Sequence, residues 1–322
     1  MALNLTELQA ATEDYIVNHQ PTDIFFKSHV LLFKLLKMGK TYNGGKKIQV
    51  NLEYDMTHAG SYGPRFEMPI SRKEIVNAAF FQYAAYYSAL TMDMDDELIN
   101  AGDLAIVNLL VTKMKNAEKS IRKVMGDEIF GSRAEGMAAN PLALPFIGLK
   151  DLFNQDDAVA YGEILPPDIA PSTWKTGYIA GAREMSFKFM QELRRTATVD
   201  IDTGGEPDLY LTTDVLKDAF ARTIQAQVRY TSKDLADAGF SNVLFEGVPV
   251  VADHRQHAGY VDAFNTQYLD IYTHSRRNFT KPEWKSPIQQ PDTATANIRW
   301  AGQFVCKRRD AHARAVQVTE PA

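Results

Sequence analysis

Hydrophobic and polar positions recur with different periods along the chain, and those periods predict the elements. In IFFKSHVLLFKLLKMGK, residues 24–40, Phe25, Val30, Phe33, Leu36 and Met38 fall near one helical stripe, after a first helical piece that stops at Pro21. A terminal helix this apolar needs a surface, either its own core or another subunit. Asn43-Gly44-Gly45 then breaks the pattern, and Ile48, Val50 and Leu52 alternate with Gln49 and Asn51 as in a half-exposed strand. Phe66, Met68 and Ile70 alternate on the way back, so 43–72 is expected to be a long hairpin with a loose tip around Gly60, Gly63 and Pro64. Arms of about ten residues at ~3.3 Å each would reach on the order of 30 Å. A two-stranded ribbon of that kind is marginal alone in water, so it is expected to lie against something.

Residues 75–92 mix alanine with aromatic residues and are read as a long strand. The next segment is helical, with Asp103 as N-cap and an end near Gly126 or Gly131. Ile106, Val107, Leu110, Val111, Met114, Ala117, Ile121 and Val124 make one apolar face. Its length, roughly 35–40 Å, suits the spine of a flat domain. Residues 132–175 are rich in proline and alanine and show little periodicity. Met185, Phe189 and Leu193 mark an amphipathic helix. A buried strand at PDLYL leads to a Thr212-Thr213-Asp214 cap and a helix carrying Leu216, Phe220 and Ile224, and a strand pair surrounds Gly247. This alternation predicts a compact α/β unit from about 140 to 255, with a strand-rich C-terminal part that returns to the spine. The class is α+β.

Composition narrows the function. The 322 residues are 45% hydrophobic and 23% charged, as in an ordinary folded protein. A net charge of −5 gives no basic footprint for tight nucleic-acid binding. One cysteine excludes an internal disulfide framework and fits a reducing cytosol. The first residues lack a basic segment followed by an apolar one, so no secretory signal is expected. No apolar run approaches the ~20 residues of a membrane span.

Candidate chemistry is sparse. Gly44-Gly45-Lys46 lacks the upstream glycine and the following helix of a phosphate loop. Asp253, His254 and His257 offer three metal ligands within five residues, but two histidines three apart want a helix, and this stretch follows a strand. A polar loop with Asp253 as turn residue is the simpler account of them. The acidic runs Asp93-Asp95-Asp96-Glu97 and Asp156-Asp157 carry no catalytic pattern, and the first suits a helix N-terminus. In FVCKRRDAH, Cys306, Asp310 and His312 suggest a nucleophile, an orienter and a base. A lone cysteine among apolar neighbours is, however, usually a small hydrophobe. Cys306 is expected to pack in a closing strand with Trp300 and Gly302, while Lys307, Arg308 and Arg309 face solvent or a neighbouring subunit. No catalytic, cofactor or metal residues are assigned.

Six short motifs, in order over nearly the whole chain, carry a resemblance. They are Gly44-Gly45-Lys46-Lys47-Ile48 with Leu52 and Tyr54; Lys113-Met114-Lys115-Asn116-Ala117-Glu118-Lys119-Ser120; and Pro207-Asp208-Leu209 with Thr212-Thr213. Then come Phe245, Gly247, Val250 and Asp253; Asn265, Tyr268 and Leu269; and Trp300-Ala301-Gly302 with Cys306 and Arg309. The chain thereby resembles the major capsid proteins of tailed bacteriophages with the Hong Kong 97-type fold. The resemblance implies an N-terminal arm at 1–42, an extended loop at 43–72, and a peripheral domain with the spine helix at 73–139. An axial domain at 140–255 and C-terminal strands at 256–322 completing the peripheral domain would follow. It implies self-assembly as hexamers and pentamers into an icosahedral head around double-stranded DNA. Scaffold, portal and decoration proteins would be partners, no cofactor or membrane is involved, and the virion assembles in a bacterial host cytoplasm. Nothing marks a lysine–asparagine crosslink pair, and a separate scaffold is favoured over a cleaved leader. An encapsulin-like compartment is the alternative of the same fold. An enzyme using Cys306 and His312, or the Asp253-His254-His257 loop, is the alternative of another class.

Overall fold

The computed structural model describes residues 29–63, 65, 67–93, 103–168, 174–199, 205–224, 242–279, 284–286 and 293–321. The helical piece before Pro21, Phe25, Phe66 and the acidic run Asp95-Asp96-Glu97 lie outside them.

The first described elements are α1 (Val30–Lys37), β1 (Lys40–Tyr42), β2 (Ile48–Glu53), β3 (Val76–Phe81) and β4 (Ala84–Asp93). The long helix α2 (Asp103–Ile129) and α3 (Arg133–Ala139) follow, then α4 (Leu149–Leu152), β5 (Gly177–Ile179), β6 (Arg183–Glu184) and α5 (Phe187–Ala197). Next are β7 (Leu209–Thr212), α6 (Asp214–Thr223), β8 (Asn242–Phe245), β9 (Val248–Ala252) and β10 (Val261–Phe264). The chain closes with β11 (Leu269–His274), β12 (Thr293–Cys306), β13 (Ala313–Ala315) and β14 (Val318–Thr319).

Two larger sheets organise these elements. One has four strands in the order β1-β11-β12-β4, the other six in the order β5-β13-β10-β7-β9-β8. The fourteen-residue β12 is the seam of the first. It pairs antiparallel with β4 from Thr293↔Asp93 to Gly302↔Ala84, and with β11 from Gly302↔Thr273 to Cys306↔Leu269. Helix α2 packs on β4. Its 27 residues span about 40 Å, as expected from 1.5 Å per residue. Met114, Ala117, Ile121 and Met125 are buried, but Val124 is exposed, which corrects the expected stripe. At about 100° per residue Val124 lies some 80° round from Met114, and Met125 takes its place.

The six-stranded sheet is covered on both faces. Leu209 and Leu211 of β7 face the core shared with α1, α2 and the four-stranded sheet, while Tyr210 faces a second core with Phe189, Leu193, Leu216 and Phe220. Strand alternation splits the uninterrupted Leu-Tyr-Leu run between two cores, which is why no polar residue interrupts it. Thr213 caps α6 as expected, its hydroxyl accepting from the Leu216 N–H. The β8–β9 turn has Glu246 and Gly247 at φ 48° and 86°, the pair of left-handed residues that a two-residue hairpin requires.

Three sequence expectations change. The C-terminal residues do not all return to the spine: β11 and β12 join the four-stranded sheet, but β10 and β13 pair with each other in the six-stranded one. Strand alternation is the same in either sheet, so pattern alone could not choose between them. The stretch 75–92 is two strands with different partners, β3 on β2 and β4 on β12. The paired return arm of the hairpin is Val76–Phe81, beyond Met68 and Ile70. Between Glu53 and Val76 the ladder gives way to separate cross-links: Tyr54 N–H to Ile75 O (3.1 Å), Lys73 to Asp55 (2.8 Å) and Ser71 Oγ to His58 Nε2 (3.2 Å). Pro69, with no N–H to donate, sits in the stretch where the alternation suggested a strand.

The packing of α1 settles another open point. Val30, Leu31, Leu32 and Leu35 are fully buried in the chain's own core, while Phe33 and Leu36 are partly covered and Met38 is exposed. Among the described residues no helix is long and apolar enough to cross a membrane.

Candidate functional sites

The fold closes around Cys306. Its side chain is fully buried, and burial pushes the thiol up to about 12, so it is protonated at neutral pH. Its backbone N–H donates to the Tyr161 hydroxyl at 3.3 Å. His312 is also buried, and desolvation pushes its imidazole down to about 3. Its Nδ1 accepts from the Asn265 N–H at 3.2 Å, and its Nε2 has no hydrogen-bond partner among the described residues. Asp310 is engaged by Arg308 at 3.1 Å. The three side chains form no hydrogen bond to one another, and the thiol is neither exposed nor activated. Sequence proximity did not become a triad, because β12 ends at Cys306 and a short helical turn, Arg309–Ala311, carries the chain across to β13.

Arg309 departs furthest from expectation. Its residue is 1% exposed. Its guanidinium donates to Leu152 O through Nε (3.1 Å) and Nη2 (2.6 Å), to Trp174 O (2.6 Å) and to Asn154 O (2.9 Å), and lies 4.9 Å from the Tyr161 ring centroid. Burial lowers its pKa. The group is a buried stitch at the crossover between the two large sheets. A run of three basic residues carries no signal telling which member turns inward. Lys307 pairs with Asp270, as does Lys40 at 2.9 Å, and Arg308 stays partly exposed.

A second buried charge lies in the six-stranded sheet. Arg314 grips Asp262 with two parallel bonds of 2.6 and 2.7 Å, and Gln256 donates to the same carboxylate at 2.7 Å. The pair bridges β10 and β13, where Asp262 and Arg314 are directly opposite.

The Asp253-His254-His257 loop is split by the fold. Asp253 is buried; His254 is exposed and close to it; His257 packs edge-on against Tyr260 at 5.3 Å. The third group beside Asp253 is His29, the residue preceding α1. Nothing in the local sequence pattern could bring His29 there.

The loop 54–75 is where apolar side chains meet solvent. Ile70 is 99% exposed and Met56 83%, with Tyr62 and Met68 also exposed, and Val76 and Phe80 at its base. Ten further large apolar residues are exposed elsewhere among the described residues, Leu142 and Tyr87 the most, but these are scattered along the chain. Single exposed apolar residues are ordinary, but this loop carries several.

No protein-family model matches the chain, and no curated protein matches it by sequence. Solved structures do. The chain is similar to a chain of the cyanophage A-1(L) capsid asymmetric unit, with a TM-score of 0.65 and 15% identity, over 87% of this chain and 90% of that one. It is similar to the capsid of a native GTA particle, with a TM-score of 0.58 and 10% identity, over 88% and 90%. It is similar also to the holo-SrpI encapsulin complex from Synechococcus elongatus PCC 7942, with a TM-score of 0.53 and 11% identity, over 90% and 88%. Identity this low speaks for architecture alone, and over nearly its whole length the chain has the α+β, Hong Kong 97-type fold of these shell proteins.

Proposed function

We propose that the protein is a shell-forming subunit, the major capsid protein of a tailed-phage head, which assembles as hexamers and pentamers around double-stranded DNA. The observation that carries the reading is the exposed apolar loop 54–75 on a chain with this fold. Among the described residues nothing covers Met56, Tyr62, Met68 and Ile70, and a neighbouring copy would supply that cover. On this reading residues 43–72 are the extended loop and residues 1–42 the arm. The four-stranded sheet with α2 forms the peripheral part, and the six-stranded sheet with α5 and α6 the axial part. The subunit is made in the host cytoplasm and ends in the virion. Scaffold, portal and decoration proteins are its further partners, and the net charge of −5 suits a wall that confines DNA by weak contact. No catalytic activity is proposed.

A compartment shell of the encapsulin kind is the second reading, supported by the likeness to the Synechococcus complex. Cryo-electron microscopy of the expressed protein, with the nucleic-acid content of the particles, tests both. Icosahedral particles that take up DNA alongside a portal and packaging machinery support the capsid; particles that co-purify with a single protein cargo support the compartment. Deleting residues 55–63 is expected to block particle formation and leave a folded subunit. Normal particles from that deletion would remove the loop as the clasp between subunits.

A further inference from the structure

We infer that His29, Asp253 and His254 form a binding site for a first-row divalent transition-metal ion of the zinc type. Each residue offers one ligand atom, and the three atoms lie within 4.8 Å of one another. His29 Nδ1 is 3.4 Å from Asp253 Oδ1, and His254 Nδ1 is 3.6 Å from that same oxygen. Donors bound at ~2.1 Å around a tetrahedral ion stand about 3.4 Å apart, so both separations already suit coordination.

An independent observation points the same way. Among the described residues, His29 Nδ1 and Asp253 Oδ2 are buried polar atoms without a hydrogen-bond partner. Their residues are only 3% and 2% exposed, so bulk solvent covers neither atom. Buried groups of this kind are normally satisfied, and those left over call for an ion or a water. His29 and Asp253 lie close enough for an ion pair but lack hydrogen-bond geometry. The carboxylate is held in place: Oδ1 accepts from the Arg255 N–H at 3.0 Å, and the Asp253 N–H donates to Thr212 O at 2.9 Å. Arg255, the nearby fixed cation, is paired with Asp127 at 2.6 Å.

The chemistry of the set selects the ion. Two imidazoles and one carboxylate suit zinc, cobalt or nickel, whereas calcium and magnesium prefer all-oxygen shells. His254, with its side chain 55% exposed, forms the open side, giving an entry path and room for water as a fourth ligand. The site joins the start of α1 to the loop after β9, so a bound ion would fasten the N-terminal segment to the six-stranded sheet. This inference rests on the subunit alone and not on shell assembly.

The test uses the full chain, stripped with a chelator and dialysed. Titration with Zn²⁺ by calorimetry, and with Co²⁺ by visible absorption, is expected to show one ion per chain and a rise in Tm with Zn²⁺. His254→Gln, at an exposed position, should keep the metal-free Tm and weaken binding by about 10–100-fold. His29→Gln should do the same, provided its metal-free circular dichroism is unchanged, and His257→Gln should bind like the parent. Absence of saturable one-to-one binding would overturn the site, as would equal affinity in the parent and His254→Gln; His29 and Asp253 would then be no more than an ion pair.

Discussion

Replacing Arg309 by methionine tests whether the crossover between the sheets is held by a buried guanidinium. The change keeps most of the side-chain volume and removes every donor. Leu152 O and Trp174 O, which accept three of its four bonds, would be left without this partner in the interior. Each orphaned carbonyl costs about 1–3 kcal/mol. Loss of the guanidinium over Tyr161 adds roughly 1 kcal/mol. Against this, the parent bears the desolvation of a buried cation whose hydrogen bonds all go to carbonyls, a burden the variant escapes. The net expectation is a loss of about 3 kcal/mol. At roughly 2–4 °C per kcal/mol for a domain of this size, Tm should fall by about 6–12 °C in calorimetry of unassembled subunits. Arg309→Lys should recover little, because a single ammonium cannot span three carbonyls. The control is Arg308→Met, whose partly exposed pair with Asp310 contributes less than about 1 kcal/mol. A loss for Arg309→Met no greater than for Arg308→Met would refute the stitch.

Other outcomes follow from the same structure. His312, pushed down to about 3 by burial, is neutral in the folded chain while the unfolded chain takes up a proton below about 6.5. Stability is therefore expected to fall as pH drops below about 6.5, by about 2 kcal/mol at pH 5, and His312→Asn should flatten that slope in urea midpoints at the two pH values. Cys306 should resist a thiol reagent in the native protein and react once per chain in denaturant; rapid native labelling would contradict its burial. Gly126→Ala would ordinarily stabilise a helix interior by about 1 kcal/mol. Here a β-carbon would overlap the His29 ring, so the variant should lose about 1–3 kcal/mol by urea unfolding, and a gain would show that His29 does not pack there.

What could be read from the chain was whatever depends on neighbours in sequence. The alternation at Ile48, Val50 and Leu52 is the buried face of β2, the Thr213 cap starts α6, and the Glu246-Gly247 turn closes β8 onto β9. Burial of Trp300 and Cys306 in the closing strand was likewise legible, because an apolar run in a strand has few other places to go. Alternation failed at Met68 and Ile70. Period two says only that side chains would face opposite sides if a partner strand were present, and none of the described strands pairs there.

The sequence by itself determined the class and most of the local elements. Only the tertiary structure decided which of three adjacent basic residues is buried, which sheet each C-terminal strand joins, and that His29 meets Asp253 and His254 while His257 does not. The reason is physical. Propensity, capping and turn chemistry act over a few residues, so the chain carries them in its local pattern. The burial of Arg309 is decided by the carbonyls of Leu152, Asn154 and Trp174, and the His29 cluster by the packing of α1 against the loop after β9. Those partners come together only when distant segments are folded onto one core.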